Sequence, residues 1–168
     1  MWDDSSQQEL ANLRFTSLRD TYHLTYGNRE ITLKAFGLGT KITILDNALG
    51  RELGTVSCSF RGLYSVPNLV EWRDGGCLYI PPPVVQPIDG GRYCYRLVPR
   101  DERGSRLMRL EWAPNKFSLM PNLASATDRE RCWVFPEDMK MKDPIFPLVS
   151  GIAWIAVLQL IWLDRSFG

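Results

Sequence analysis

His23 is the only histidine in the chain, which limits general acid–base chemistry. It falls between Tyr22 and Leu24 in an alternating apolar run, so in a strand it points to the face opposite those neighbours. That placement suits a polar residue on a sheet surface better than a general base. The acid pairs Asp101/Glu102 and Glu137/Asp138 sit in turn-like polar stretches, where water solvates both carboxylates. Cys58, Cys77, Cys94 and Cys132 form no C-x-x-C pair, whereas zinc draws two ligands from one tight turn. They read as reduced thiols half-buried in strands, with a structural disulfide as the alternative. "GLGTK" at 37–41 lacks the long glycine spacing of a Walker loop and the hydroxyl after its lysine, so it reads as a turn. Nucleophile elbows, zincin helices and dinucleotide fingerprints are missing as well. No catalytic site, metal or cofactor is expected, and the chain reads as a non-enzyme.

Cations are the remaining candidates. Overall they cancel, with 20 Lys+Arg against 19 Asp+Glu and a net charge of +1. A nucleic-acid partner, which calls for a basic excess, is not expected, although a global sum leaves room for a local basic face. Arginines crowd at Arg92, Arg96, Arg100, Arg103, Arg106 and Arg109. In regular strands Arg92 and Arg96 share a face, while Arg106 and Arg109 do not. The cluster reads as a small anion reader or as a solvated hairpin. Trp72, Trp112 and Trp133 fall in strand-like runs and read as core rather than as a stacking platform.

Strands must position most of these residues. Tyr22, Leu24 and Tyr26 alternate before Gly27-Asn28. Ile31, Leu33 and Ala35 follow, then Ile42 and Ile44, then "DNALG" and a run over 53–60. Such short alternating runs between turn residues predict an antiparallel meander. Val66-Pro67 is expected to break it, because proline cannot donate to a ladder. "NLVEWRDGGCLYI" predicts a hairpin, "PPPVVQPIDGG" a loop or extended edge, and "RYCYRLVPRDERGSRLMRLEWAP" a second hairpin. "NKFSLMPNL" reads as a further strand, and 132–135 as extended. Residues 1–12 are polar and read as frayed or weakly helical, with a single domain over 13–168. "MWDDSSQQEL" has neither a basic nor an apolar signal region, so a cytoplasmic location is expected, with membrane association from the cytosolic side as an option.

From 144 to 163 no residue is charged. Pro144 and Pro147 open this stretch, so a helix is predicted over about 148–163. It would rise about 24 Å, short for a bilayer whose hydrocarbon core is ~30 Å thick. Gln159 would also carry an amide into lipid. Trp154, Trp162, Lys140 and Lys142 nonetheless suit a tail anchor. The other reading hides the helix within the protein. A helix apolar on every face must be covered on every face. Small Gly151, Ala153 and Ala156 would admit close strands, and Gln159 would pair with a backbone group. Ile152, Ile155, Leu158, Gln159 and Trp162 are then core. The expected fold is mostly β, a closed antiparallel barrel around a central hydrophobic C-terminal helix.

The order of motifs resembles the LURP-one-related, or tubby C-terminal-like, family. "FTSLRDTY" at 15–22 resembles its opening segment. Lys34, Gly39, Lys41, Ile44 and Asp46 follow the family's K-x-x-x-x-G-x-K-x-x-I-x-D pattern. Asp46 to Val56 resembles its D-x-x-G-x-E-L-x-x-V turn with one extra residue, and Phe60 and Asp74-Gly75 complete the block. The chain end resembles the apolar last helix of the family and of its relatives, the phospholipid scramblases, with Asp164 in the matching acidic place. The resemblance covers about residues 14–76 and 135–168, and residues 80–134 depart from it. It implies the barrel around a central helix and a non-enzymatic binding or adaptor role. Tubby-type domains further imply an anionic phospholipid headgroup, or another anionic ligand, as partner. Exposed cations would meet it: Arg19, Lys34, Lys41 and Arg61, with Arg92 and Arg96 of the hairpin as further candidates. The alternatives are a tail-anchored membrane protein, or a protein-interaction scaffold using the proline loop at 81–87 and the arginine-rich hairpin.

Overall fold

The computed structural model describes residues 2–3, 8–9, 11–17, 21–36, 40–61, 64–88, 92–112 and 132–167, with side chains over a narrower set that ends at 159. β1 (Trp2–Asp3) and β2 (Gln8–Glu9) pair with each other, where the sequence suggested fraying or weak helix. A meander follows: β3 (Asn12–Ser17), β4 (Thr21–Tyr26), β5 (Arg29–Phe36), β6 (Lys41–Asp46), β7 (Arg51–Arg61), β8 (Tyr64–Trp72) and β9 (Cys77–Tyr79). β10 (Val84–Ile88) and β11 (Arg92–Leu97) form a hairpin. β12 (Arg100–Asp101) then leaves to pair with β9, and β13 (Met108–Trp112) returns to β11 and is flanked by β14 (Cys132–Pro136). The result is an eight-stranded antiparallel sheet, β12-β9-β8-β7-β6-β5-β4-β3, and a four-stranded one, β10-β11-β13-β14. Hydrogen-bonded pairing among the described residues leaves both sheets with open edges. The expected strand at "NKFSLMPNL" lies outside the described residues.

Alternation explains the inner face. Tyr22, Leu24 and Tyr26 are buried on β4, Ile31 and Leu33 on β5, Ile42 and Ile44 on β6, and Val56 on β7. The register sets Leu24 opposite Ile31, Leu33 opposite Ile44 and Ile42 opposite Val56, which makes one apolar surface. Between Ile44 and Leu45 the pairing with β7 slips, and Gly54 sits at the slip. A Cβ there would run into the Glu71 carbonyl and the Trp72 backbone, so glycine lets β7 and β8 close. Pro67 does not end its strand. β8 runs through it, and the ladder instead steps from Ser57↔Leu69 to Cys58↔Pro67, leaving Asn68 as a bulge. The bulge takes up the missing donor that was expected to break the run.

The C-terminal segment forms α1 (Phe146–Phe167), 22 residues rather than the predicted 148–163. Asp143 starts it. Its carboxylate accepts the Ile145 amide at 3.1 Å and its carbonyl accepts the Phe146 amide at 3.0 Å. Pro147 falls in the first turn, where a missing N–H costs nothing, so it begins the helix instead of excluding it. At about 33 Å, helix length no longer argues for enclosure. Burial does. Every position from 148 to 153 is buried, and that run goes more than once round the helix axis. α1 packs against β4 and β8 of the larger sheet and β13 of the smaller. Ile152 and Ile155 are buried, Leu158 is partly so, and the Trp162 side chain lies outside the described residues. A Cβ on Gly151 would stand 3.2 Å from a methyl carbon of Leu24, so the helix seats closely on β4 here. Over the residues with described side chains, which in α1 end at 159, no helix is long and apolar enough to cross a membrane.

Among the described residues of the helix the buried polar side chains, Ser150 and Gln159, are both satisfied. The Ser150 hydroxyl donates to the Met108 sulfur at 3.2 Å, and the Gln159 amide donates to the Tyr22 hydroxyl at 2.6 Å. The partner of Gln159 is thus a side chain of β4, not the backbone group expected. Tyr22→Phe leaves that buried amide without its acceptor and is expected to cost ~1–3 kcal/mol in chemical denaturation. Gln159→Leu added to it should recover most of the loss, because both polar ends are then gone.

Candidate functional site

Alternate turns of a meander fall at the same end. The connections at 27–28, 47–50 and 73–76 share one end of the large sheet, and those joining β3–β4, β5–β6 and β7–β8 share the other. The acids follow this division. Glu30, Asp46, Glu52, Glu71 and Asp74 all lie in the half with the first set of turns, together with Arg29, Arg51 and Arg73. The opposite half of β4–β8 carries Lys34, Lys41 and Arg61 and no acid among its described residues.

Local structure sets the two lysines side by side. Ile31 and Leu33 face inward, so Lys34 faces outward, and Ile42 and Ile44 do the same for Lys41. Lys34 pairs with Thr43, and Lys41 with Phe36 across the same ladder. The lysines are therefore diagonal neighbours on the outer face, roughly 7–8 Å apart. Both are exposed. Thr21 stands opposite Lys34 on β4, and Ser57 opposite Lys41 on β7. Two ammonium groups among hydroxyls can meet an anion with charge-assisted and neutral donors together. Arg61 ends β7 at the same end of the sheet, with its side chain outside the described set. Arg19 lies outside the described residues.

The arginine-rich hairpin is arranged differently. β10 and β11 pair without a slip, so positions 92 and 96 share a face. Arg96 is tied to Glu111 at 2.8 Å, and Arg109 approaches the same carboxylate at 3.2 Å while its guanidinium lies 4.5 Å from the centre of the Phe135 ring. Arg106 pairs with Glu137 at 2.8 Å, and Arg100 donates to the Gly104 carbonyl at 3.0 Å. These arginines stitch strands and turns together. The Arg92 side chain lies outside the described set.

At the acidic end Asp46 is 2% exposed and clamps two turns. It takes Arg29 at 2.8 Å from the β4–β5 hairpin and the Leu49 amide at 3.1 Å from its own turn. The Arg29 hydrogen bond holds the Asp46 carboxyl below its ordinary pKa, against the opposing effect of burial. Burial pushes the Tyr26 phenol up, while Arg29, 5.5 Å from its ring centre, pulls it down. His23 lies on the outer face, its Nδ1 3.3 Å from the Thr32 hydroxyl. Cys58, Cys77 and Cys94 are free thiols, and burial pushes the Cys58 thiol up to about 12, so it stays protonated and inert near neutrality. Among the described residues no cluster could hold a metal ion.

Sequence reasoning did not find a cavity of about 180 Å³ between β8, the proline run at 81–83 and the helix. Its one signal was Pro67, read as a break, which marks the bulge beside it. No family model, curated protein or solved structure matches the chain.

Asp46 predicts an acid transition. A carboxyl whose pKa is lowered in the folded state stabilises fully above its unfolded value and loses that stabilisation as pH falls through its folded value. Stability is expected to drop below about pH 3.8, the ordinary value for Asp. Asp46→Asn should cost ~1–3 kcal/mol at pH 7 and show a flatter acid limb in pH-dependent denaturation.

Proposed function

We propose that this is a non-enzymatic binding domain of the tubby-like type, a barrel closed around α1, which recognises an anionic ligand at its basic end through Lys34, Lys41 and Arg61. The observation that carries the proposal is the charge division of the large sheet, with two outward lysines adjacent across β5 and β6 and the acids gathered at the far end. The motif order over 14–76 and 135–168 supports the family reading, and the enclosure of α1 by both sheets supports the barrel. An anionic phospholipid headgroup suits this arrangement. Two lysines on the outer face at one end of the sheet read charge without needing a deep pocket, and binding to a surface adds the contributions of separate cations. The same enclosure speaks against a tail anchor, since a helix inserted in lipid must give up its contacts with β4, β8 and β13.

A protein-interaction surface at β10 is the second reading, favoured by Val84 and Val85 at 60% and 50% exposure. Against it stand Pro83 and Pro87, which take N–H groups from the edge that an added strand would need.

Vesicle co-sedimentation tests the first reading. The protein should bind vesicles containing phosphatidylserine at low salt and release at high salt. Lys34→Ala with Lys41→Ala should weaken binding by ~2 kcal/mol, roughly thirtyfold. Arg51→Ala, at the opposite end, should leave it unchanged. Equal loss from both substitutions, or binding indifferent to salt, contradicts the proposal.

A further inference from the structure

The cavity beside β8 is chemically distinct from the basic end, and the inference drawn from it does not rest on that reading. Its cause lies in backbone hydrogen bonding. β9 pairs with β8 only over Leu69–Glu71, and the Ile80 amide makes one further bond to the Asn68 carbonyl at 2.8 Å. The chain then enters Pro81, Pro82 and Pro83, which have no N–H to continue the ladder. The first part of β8 therefore has β7 on one side and a proline wall, not a strand, on the other. The gap reaches the helix. Ala156, fully buried, lines it, and its small side chain leaves the space open. Val66, Ile80 and Leu97 supply apolar wall. Nearer solvent the Asn68 amide donates to the Ser59 hydroxyl at 2.6 Å, giving one polar pair.

The geometry points to a binding site for a small, uncharged, ring-sized apolar molecule bearing at most one hydrogen-bonding group. Among the described residues no charged side chain lines the cavity, so an ion entering it would lose hydration without compensation from them. Its volume of about 180 Å³ is slightly above the ~150 Å³ apolar cavity that accepts benzene. It is well below the ~300 Å³ at which pockets for drug-sized ligands begin. One ring fits, and the Ser59–Asn68 pair can meet a single hydroxyl or carbonyl.

Ligand-observed fluorine NMR of the full chain tests this with three probes: fluorobenzene, 4-fluorobenzyl alcohol and 4-fluorobenzoate. The two neutral probes should broaden with the wild-type protein, and the benzoate should bind at least tenfold more weakly. Ala156→Leu fills the floor and should abolish binding. Ser59→Leu fills the space from the partly exposed side without touching the helix, and should do the same even where Ala156→Leu disturbs the fold. Lys34→Ala with Lys41→Ala should leave the neutral probes unaffected, which separates this site from the anion-binding reading. The inference is overturned if neither neutral probe broadens, if binding survives both filling substitutions, or if the benzoate binds best and depends on the lysines.

Discussion

A helix that is apolar on every face has to be covered on every face, and the rest of this structure follows from that demand. One sheet covers one side of a helix. The described part of α1 packs on the eight-stranded sheet through β4 and β8 and on the four-stranded sheet through β13, and every position from 148 to 153 is buried. Small residues let the cover come close, as at Gly151 above Leu24. The two polar side chains that this burial would strand, Ser150 and Gln159, each reach a partner on a strand. The partners differ in sheet: Met108 belongs to the smaller and Tyr22 to the larger, so the helix is tied by polar contacts to both layers.

Much of this was legible in the residues. The period-two alternation at Tyr22–Tyr26, 31–35 and 42–44 identified the strands and their inner face, because one face of the sheet is buried and the other wet. The absence of charge from 144 to 163 identified the helix but not its ends. Pro147 looks in sequence like a barrier before the helix, yet the first turn is where proline is tolerated. Pro67 misleads for a related reason: a missing donor looks the same in sequence whether the strand stops or slips past a bulge. The partner of Gln159 was hidden because Tyr22 lies 137 positions away, and no local pattern encodes a contact of that range.

The cations illustrate the same limit. A sequence shows that Arg96 and Glu111 exist, not that register sets them opposite each other and ties them at 2.8 Å. It shows Lys34 and Lys41 at either side of a turn, and hairpin geometry alone makes them neighbours on one face. Asp46 was visible as a turn residue. Its clamp on Arg29 joins two turns that only the meander brings to one end. Topology thus decides which charges tie strands and turns together, as Arg96 and Asp46 do, and which stand exposed on the outer face, as Lys34 and Lys41 do.

Amide hydrogen exchange along α1, in aqueous buffer without lipid or detergent, tests the enclosure of the helix most directly. Enclosure predicts that amides 148–159 exchange in the slowest class, together with those of β6–β8, through global unfolding alone. Exchange at the rate of an exposed helix, or protection that arises only when vesicles are added, would contradict it.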